Sequence, residues 1–510
     1  MDRRVGFGAK ENRGKSMRVA VLLLLALLAG CVAPRAGGPP KQDDTALRTA
    51  LTRHIEMLAS DDFAGRQPGT EGEAKTLRYL AREWQAAGLV SGTNDPANPW
   101  FAPVELATST PDRSAVRFHR AGRPVPLPEG AAAVFAAGAR GLVERAPVVF
   151  VGDAGVQLDR SELAGRVALM LWDHAGEAEQ REALLRSGAA AALAVVADRA
   201  EFDSLVAARQ RGGYRLAASE PAGTLDGFVT REAAEALVGR ERWAALTRAA
   251  AEPGFRPQPL DLTATLEATS APGTVRTHNL IARLPGKRPG AGAVLLLAHW
   301  DHFGACAPPG AADTICNGAV DNASGLAMLT ELARALAAGP RPERDIYFVA
   351  TTAEEWGLLG AQAFAENPPI PLDTVVAAFN LDSVAIAPAG GPVAIVGKGL
   401  TPLDPGIAEV LQAMGREEGD ETLAQTYVRR QDGWALLQRD VPAVAVTSAF
   451  ARRELVERFN AERYHRPADE AGGIELGGAI EDFALMLALV RHFADPRRWP
   501  ATAGKSAAAP

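Results

Sequence analysis

Basic runs are missing from this 510-residue chain. Its 54 lysines and arginines stand against 61 acidic residues, for a net charge of −7, and cluster no further than short arginine pairs. Without a basic footprint, nucleic acid is excluded as a partner. Long apolar runs are scarce too: the stretch in MRVAVLLLLALLAGC, near the N-terminus, is too short for a comfortable membrane span. Cysteine is almost absent, with Cys31, Cys306 and Cys316 alone, which leaves one internal pair if Cys31 is otherwise engaged. No internal repeat is apparent. What remains, 47% hydrophobic and 23% charged, is ordinary globular composition with length for more than one domain.

The N-terminal stretch has a basic start, an apolar run of signal-peptide length and a cleavage-type ending at Gly30-Cys31. Arg18 serves better as the basic region than Arg3 and Arg4, which favours Met17 as the start. LAGC resembles the lipobox of bacterial lipoproteins, in which the cysteine is lipidated and becomes residue one. Residues 1–31 are therefore expected to be a lipoprotein signal peptide, and 32–44 a Pro/Gly-rich tether. The expected location is outside the cytoplasm, periplasm-facing, anchored to the membrane through lipid on Cys31. The alternative is an uncleaved anchor helix. Cys306 and Cys316 share one loop, where an oxidising compartment favours a local bridge over two free thiols, though sequence does not show pairing.

Residues 45–92 read as two helices, with apolar positions three and four apart, separated by the turn-rich SDDFAGRQPGTEGE. From 105 to 255, short apolar runs alternate with turns and one helix, EAEQREALLRSGAA, and His174 stands alone. That texture suggests a small inserted α/β domain. From 256 the pattern becomes strand, loop, helix, repeated: GAVLLLAH, NASGLAMLTELARALAAG, RDIYFVATTA, EEWGLLGAQAFAEN, DTVVAAFNLD, VPAVAVTSA and the closing GAIEDFALMLALVRHFAD. Such alternation predicts an α/β fold, a mixed, largely parallel sheet covered by helices on both faces. Residues 45–104 and 256–498 would form the main domain, 105–255 the insert, and 499–510 a tail.

Reactive residues gather at predicted strand ends. His299 and Asp301 close GAVLLLAHWD, Glu354 and Glu355 follow DIYFVATTA, and Asp382 ends VVAAFNLD. Asp321 precedes the NASGLAML helix, and His465 follows the last strand. Ligands of open α/β sheets bind outside the carboxyl ends of the strands, so one rim receives imidazole and carboxylate together. Separately, Asp321 reads as a helix cap, Asp382 as a turn residue, His465 as a surface histidine, and the glutamates as the acidic first turn of a helix. Jointly, two histidines and three carboxylates suit a pair of divalent ions, zinc first, with one carboxylate bridging. Glu355 can then ligate metal while Glu354 handles a proton.

HWDHFG, DNASG, EEWGLLGA, NLD and YHRPAD occur in the order and spacing of the M28 family of zinc aminopeptidases, which the chain resembles over roughly 45–104 and 256–495. LASDDFAGRQPGTEGE and THNLIARLPG look like that family as well. LAGRVALMLWDHAG and LLRSGAAAALAVV resemble a protease-associated (PA) domain. The resemblance implies a zinc-peptidase fold, two zinc ions, and peptide substrates losing N-terminal residues. It implies that His299 and Asp382 hold one zinc, Glu355 and His465 the other, and that Asp321 bridges them. Asp301 would orient His299, Glu354 would be the general base and then acid, and Tyr464 would donate to the oxyanion. His302 has no ligand role in the pattern and is expected to be structural. Many relatives carry a Ser-Asp-His triplet before the last strand, where RQDGWALL keeps only Asp432, so specificity stays open. Carboxypeptidase, dipeptidase or glutaminyl cyclase chemistry, or a metal-free receptor-like member, are the competing readings.

Overall fold

The computed structural model describes residues 44–153, 160–172, 177–219, 225–307 and 310–500. The signal and tether expectations, including lipid on Cys31, lie outside these residues, as do His174 and the segment after 500. No helix among the described residues is long and apolar enough to cross a membrane.

Two amphipathic helices come first, α1 (Asp44–Leu58) and α2 (Glu71–Ala86). They are followed by the 20-residue strand β1 (Phe101–Arg120) and, beyond the insert, by the 27-residue β2 (Gln258–Leu284). The central strands are β3 (Ala293–His299), β4 (Asp345–Thr351), β5 (Val375–Asn380) and β6 (Ala443–Thr447). β4, β3, β5 and β6 neighbour one another in that order, all parallel, while β2 joins β4 antiparallel. The fold is a mixed α/β sheet, largely parallel at its centre.

Every residue of β3 is buried, as expected of a parallel strand covered on both faces. Its side chains alternate. Val294, Leu296 and Ala298 enter the core packed by α1, α2, α3 (Gly325–Ala338) and α5 (Gly477–Phe493). Leu295 and Leu297 enter the opposite layer with Phe364 of α4 (Leu359–Glu366). Helices thus close both faces, and the parallel strands deliver their carboxyl ends to one edge.

β1 and β2 are continuous across the expected insert boundaries. They pair from Phe101↔Leu280 to His119↔Thr263, so one ribbon runs from the central sheet into the 105–255 segment. There β2 also meets the strand Arg140–Gly152, followed in the sheet by parallel Val167–Leu171, Ala191–Val196 and Leu225–Thr230. Besides the expected helix (Glu177–Arg186), this segment contains Arg199–Gln210, Arg231–Val238 and Arg240–Ala250, which turn-rich texture had hidden.

Candidate metal centre

His299 is the last residue of β3, and its Nε2 lies 3.2 Å from Asp321 Oδ1 and 3.6 Å from Asp382 Oδ1. His465 Nε2 lies 3.4 Å from Asp321 Oδ2 and 3.0 Å from Glu355 Oε2. Asp321 therefore presents one oxygen to each imidazole, and the five residues divide into two groups about it. Glu354 Oε2 stands farther out, 4.0 Å from His299 Nε2. All the residues expected at this rim are brought together.

Local chemistry explains how DNASG presents Asp321. Asn322 Oδ1 accepts from Gly325 N (2.9 Å) and Ser383 N (3.3 Å), while its amide donates to Leu381 O at 2.9 Å. The start of α3 is thereby joined to the β5 exit that carries Asp382. Ser324 Oγ donates to Val320 O (2.7 Å) and accepts from Val384 N (3.1 Å). A Cβ at Gly325 would lie 2.3 Å from Leu381 O, so only glycine fits there. The helix is capped by Asn322, not by Asp321, which removes the capping explanation of that aspartate.

The expected helix beginning at Glu354 does not form. Ala353, Gly357 and Leu358 all take left-handed backbone, confining Glu354–Trp356 to a single 3₁₀ turn, and α4 starts only at Leu359. Ser383 (φ 50°) and His465 (φ 57°) are left-handed as well. Such conformations cost a Cβ-bearing residue about 1 kcal/mol or more and cluster where side-chain direction matters.

Asp301 meets His299, as expected, but through its backbone. Its backbone carbonyl, 3.1 Å away, receives His299 Nδ1–H, while its carboxylate is 3.9 Å from that nitrogen. The carboxylate instead accepts from the backbone N–H groups of Glu354 (3.0 Å) and Glu355 (3.4 Å). His302, expected to be merely structural, is buried against the site, its Nδ1 bonded to Glu355 Oε1. Tyr464 stacks on the His465 ring at 3.6 Å, and its hydroxyl accepts from Arg430 Nη2 at 3.3 Å. Cys306 and Cys316 are joined in a disulfide, with Cα atoms 5.6 Å apart. Asp432 is buried and accepts from Thr351 Oγ1 at the end of β4.

Three supporting residues escaped the sequence reading. Asp469, the last residue of the quoted YHRPAD, accepts from Val320 N and from Asp321 N at 3.0 Å, fixing the backbone of the shared carboxylate. Arg66, in SDDFAGRQPG, is wholly buried and donates to the carbonyls of Leu58 (2.7 Å), Trp300 (2.9 Å), Asn317 (2.6 Å) and Gly318 (3.0 Å). Both lay inside motifs already singled out. Arg430 opens RQDGWALL, the stretch noted for keeping only Asp432.

Electrostatics sets the charge requirement. Burial lifts Glu354 well above the usual carboxylate range, with Glu355, Asp382 and Asp432 adding to the effect. Burial also raises Asp301 to about 7 and Asp432 to about 6. Against burial, which opposes it, His299 is held well above its ordinary value by Glu354, Asp321 and Asp382. Asp321 is held well below its own by His299 and His465, again against burial. Burial pushes Tyr464 well above the usual phenol value. A buried cluster so rich in carboxylates calls for compensating positive charge. His299 Nε2 and His465 Nε2, both buried, make no hydrogen bond and face the two Asp321 oxygens. Imidazole nitrogen with carboxylate oxygen is the donor set of zinc and similar ions. The residues fit a divalent cation: among the described residues, His299 lies close enough to hold one with Asp321 and Glu355, or with Glu354 and Asp382.

Residues 279–490 match the family model of Peptidase family M28. Over 94 residues, 18% of the chain, it is 39% identical to a "Vacuolar membrane protease" of Yarrowia lipolytica. Over 67 residues it is 46% identical to a "Probable zinc metalloprotease" of Pyrenophora tritici-repentis. These matches span only 8% and 15% of the relatives' own lengths. Among solved structures, an aminopeptidase from Aneurinibacillus sp. strain AM-1 shares the fold, with a TM-score of 0.57 and 18% identity. That match covers 87% of this chain and 92% of the other.

Proposed function

We propose that this chain, M28-type in sequence over residues 279–490, is a di-zinc exopeptidase that removes N-terminal residues from peptides. The observation that carries the reading is the division of Asp321, one oxygen toward His299 and Asp382 and the other toward His465 and Glu355. The aminopeptidase title of the Aneurinibacillus structure and the zinc in the Pyrenophora relative's name support it.

His299 and Asp382 would hold one ion, Glu355 and His465 the other, with Asp321 shared. Ions so held would supply Lewis acidity, lowering the proton affinity of water and polarising a peptide carbonyl. Glu354, 4.0 Å from His299 and lining the same small pocket as Asp382 and Tyr464, accepts the proton of the attacking water. It then returns that proton to the leaving amine. The Tyr464 hydroxyl, directed by Arg430 and by stacking on His465, donates to the developing oxyanion. Asp301 keeps the two glutamates in place through their backbone N–H groups.

Export and lipid attachment at Cys31 belong to the same proposal and rest on the basic start, apolar run and LAGC. The purified zinc-loaded protein, offered matched peptides with free and acetylated N-termini, should cleave only the free ones and release single residues. Equal cleavage of blocked peptides, or release from the C-terminus, would replace this reading with a carboxypeptidase or endopeptidase one.

A further inference from the structure

The metal centre has space on two sides, and the two spaces differ. Beside Glu354, the pocket lined by Asp382, Tyr427, Phe450 and Tyr464 has a volume of about 30 Å³. Beside Glu355, a cleft of about 820 Å³ runs between Phe303 and Trp356 on one wall and residues of the 105–255 segment on the other. Of the two, the cleft is the one with room for an extended peptide.

We propose that this cleft binds the part of the substrate downstream of the cleaved bond, and that Arg211 and Arg215 select substrates carrying a carboxylate there. The proposal rests on the peptidase reading and adds a substrate class to it.

Charge on the cleft walls is one-sided. Arg181, Arg209, Arg211 and Arg215 line it, and among the described residues the only acidic one that does so is Glu355, already engaged by His302 and His465. Arg181 and Arg209 both pair with Asp226, at 3.2 and 2.9 Å. Among the described residues, Arg215 donates only to backbone carbonyls, those of Leu216 and Ser219. Arg211 is exposed to the cleft, with no side-chain hydrogen bond or carboxylate among the described residues. Guanidinium groups left without anions are suited to bidentate capture of a carboxylate.

The arginines are also positioned with respect to the chemistry. Arg211 precedes, and Arg215 lies within, a short strand (Gly213–Leu216) paired with Leu106–Ser109 of β1. Tyr214, in that strand, packs edge-on against Trp356 at 4.7 Å, one residue beyond Glu355. Its hydroxyl accepts from Gln67 Nε2 (3.0 Å) and donates to Pro68 O (3.1 Å). Phe303 connects Trp356 (5.3 Å) with His465 (4.6 Å). A line of aromatic contacts thus holds the arginine segment at a set place relative to the metal ligands.

The carboxylate can belong to an acidic side chain or to the C-terminus of a short peptide. Two pairs of substrates for the zinc-loaded full chain separate these sources. One pair is pentapeptide amides with Glu or Gln downstream, the other neutral tripeptides ending in a free acid or an amide. The carboxylate member of at least one pair should show a ten- to a hundred-fold higher kcat/KM, about what a charge-assisted contact contributes, mainly through KM. Arg211→Ala should shrink that ratio and Arg211→Glu should abolish it. Aminoacyl-p-nitroanilides, too short to occupy the cleft, should be hydrolysed at unchanged rates by both variants. Ratios near one in both pairs, or a ratio unmoved by Arg211→Glu, overturn the proposal while leaving the peptidase reading intact. If no N-terminally free substrate is turned over, the peptidase reading fails instead. Equilibrium binding of the same peptides then decides the cleft: carboxylate-selective binding lost in Arg211→Glu supports it, and equal binding contradicts it.

Discussion

Glu354 and Glu355 are neighbours in the chain, yet they face different partners. Glu355 is pinned by His302 on one oxygen and by His465, 3.0 Å away, on the other, whereas Glu354 approaches His299 only at 4.0 Å. Glu354→Gln should therefore keep its metal while turnover falls by about 10² to 10⁴, the usual contribution of a positioned acid–base group. Glu355→Gln should weaken or lose an ion, because a neutral amide is a poor zinc ligand. Metal per chain and peptidase rate, measured on both variants, separate the roles, and interchanged phenotypes would reverse the assignment. A third residue-scale test concerns Arg66, whose fork satisfies four buried carbonyls at once. Lysine cannot reproduce that fork, so Arg66→Lys should cost about 2–4 kcal/mol in a denaturant midpoint experiment. An unchanged midpoint would show that the four bonds contribute nothing net.

At the scale of elements, the segment preceding α3 shows how a ligand is held from behind. Asp469 receives the N–H groups of Val320 and Asp321, bonds that only partly counter the burial that raises its pKa. Asp469→Asn should leave the fold in place and weaken metal binding about ten- to a hundred-fold, the usual effect of disturbing a ligand's support. Competition with a chelator of known affinity measures this directly, and undiminished affinity would deny Asp469 the role. Sequence revealed much of this level. Apolar runs ending in His299, Asp301 and Asp382 could be read as buried strands delivering polar groups to one rim. The turn at Glu354 could not, since nothing in AEEWGL announces left-handed backbone at Ala353 and Leu358, which only surrounding packing can impose. The inversion at Asp301, carbonyl toward His299 and carboxylate toward the glutamates, also depends on where β4 ends relative to β3. Local pattern does not encode that register.

Across the whole molecule, β1 and β2 make the 105–255 segment and the central sheet mechanically continuous. Excising 105–255 would strip β2 of its partners over residues 258–276 and leave a long bare strand, the kind of edge that aggregates. Excising 109–272 instead joins Thr108 to Gly273, which already stand opposite each other. The second version should fold and retain metal while losing selectivity among longer peptides. Absence of metal from a well-folded form would mean that the insert supports the centre itself. The account as a whole depends on Asp321 being shared between two ions. The most direct test is to strip the purified chain with a chelator and titrate zinc back while following binding and peptidase activity together. Two zinc ions per chain, with binding at both sites lowered by Asp321→Asn, is the predicted result. Saturation at a single ion with full activity, or activity that never required metal, would contradict it.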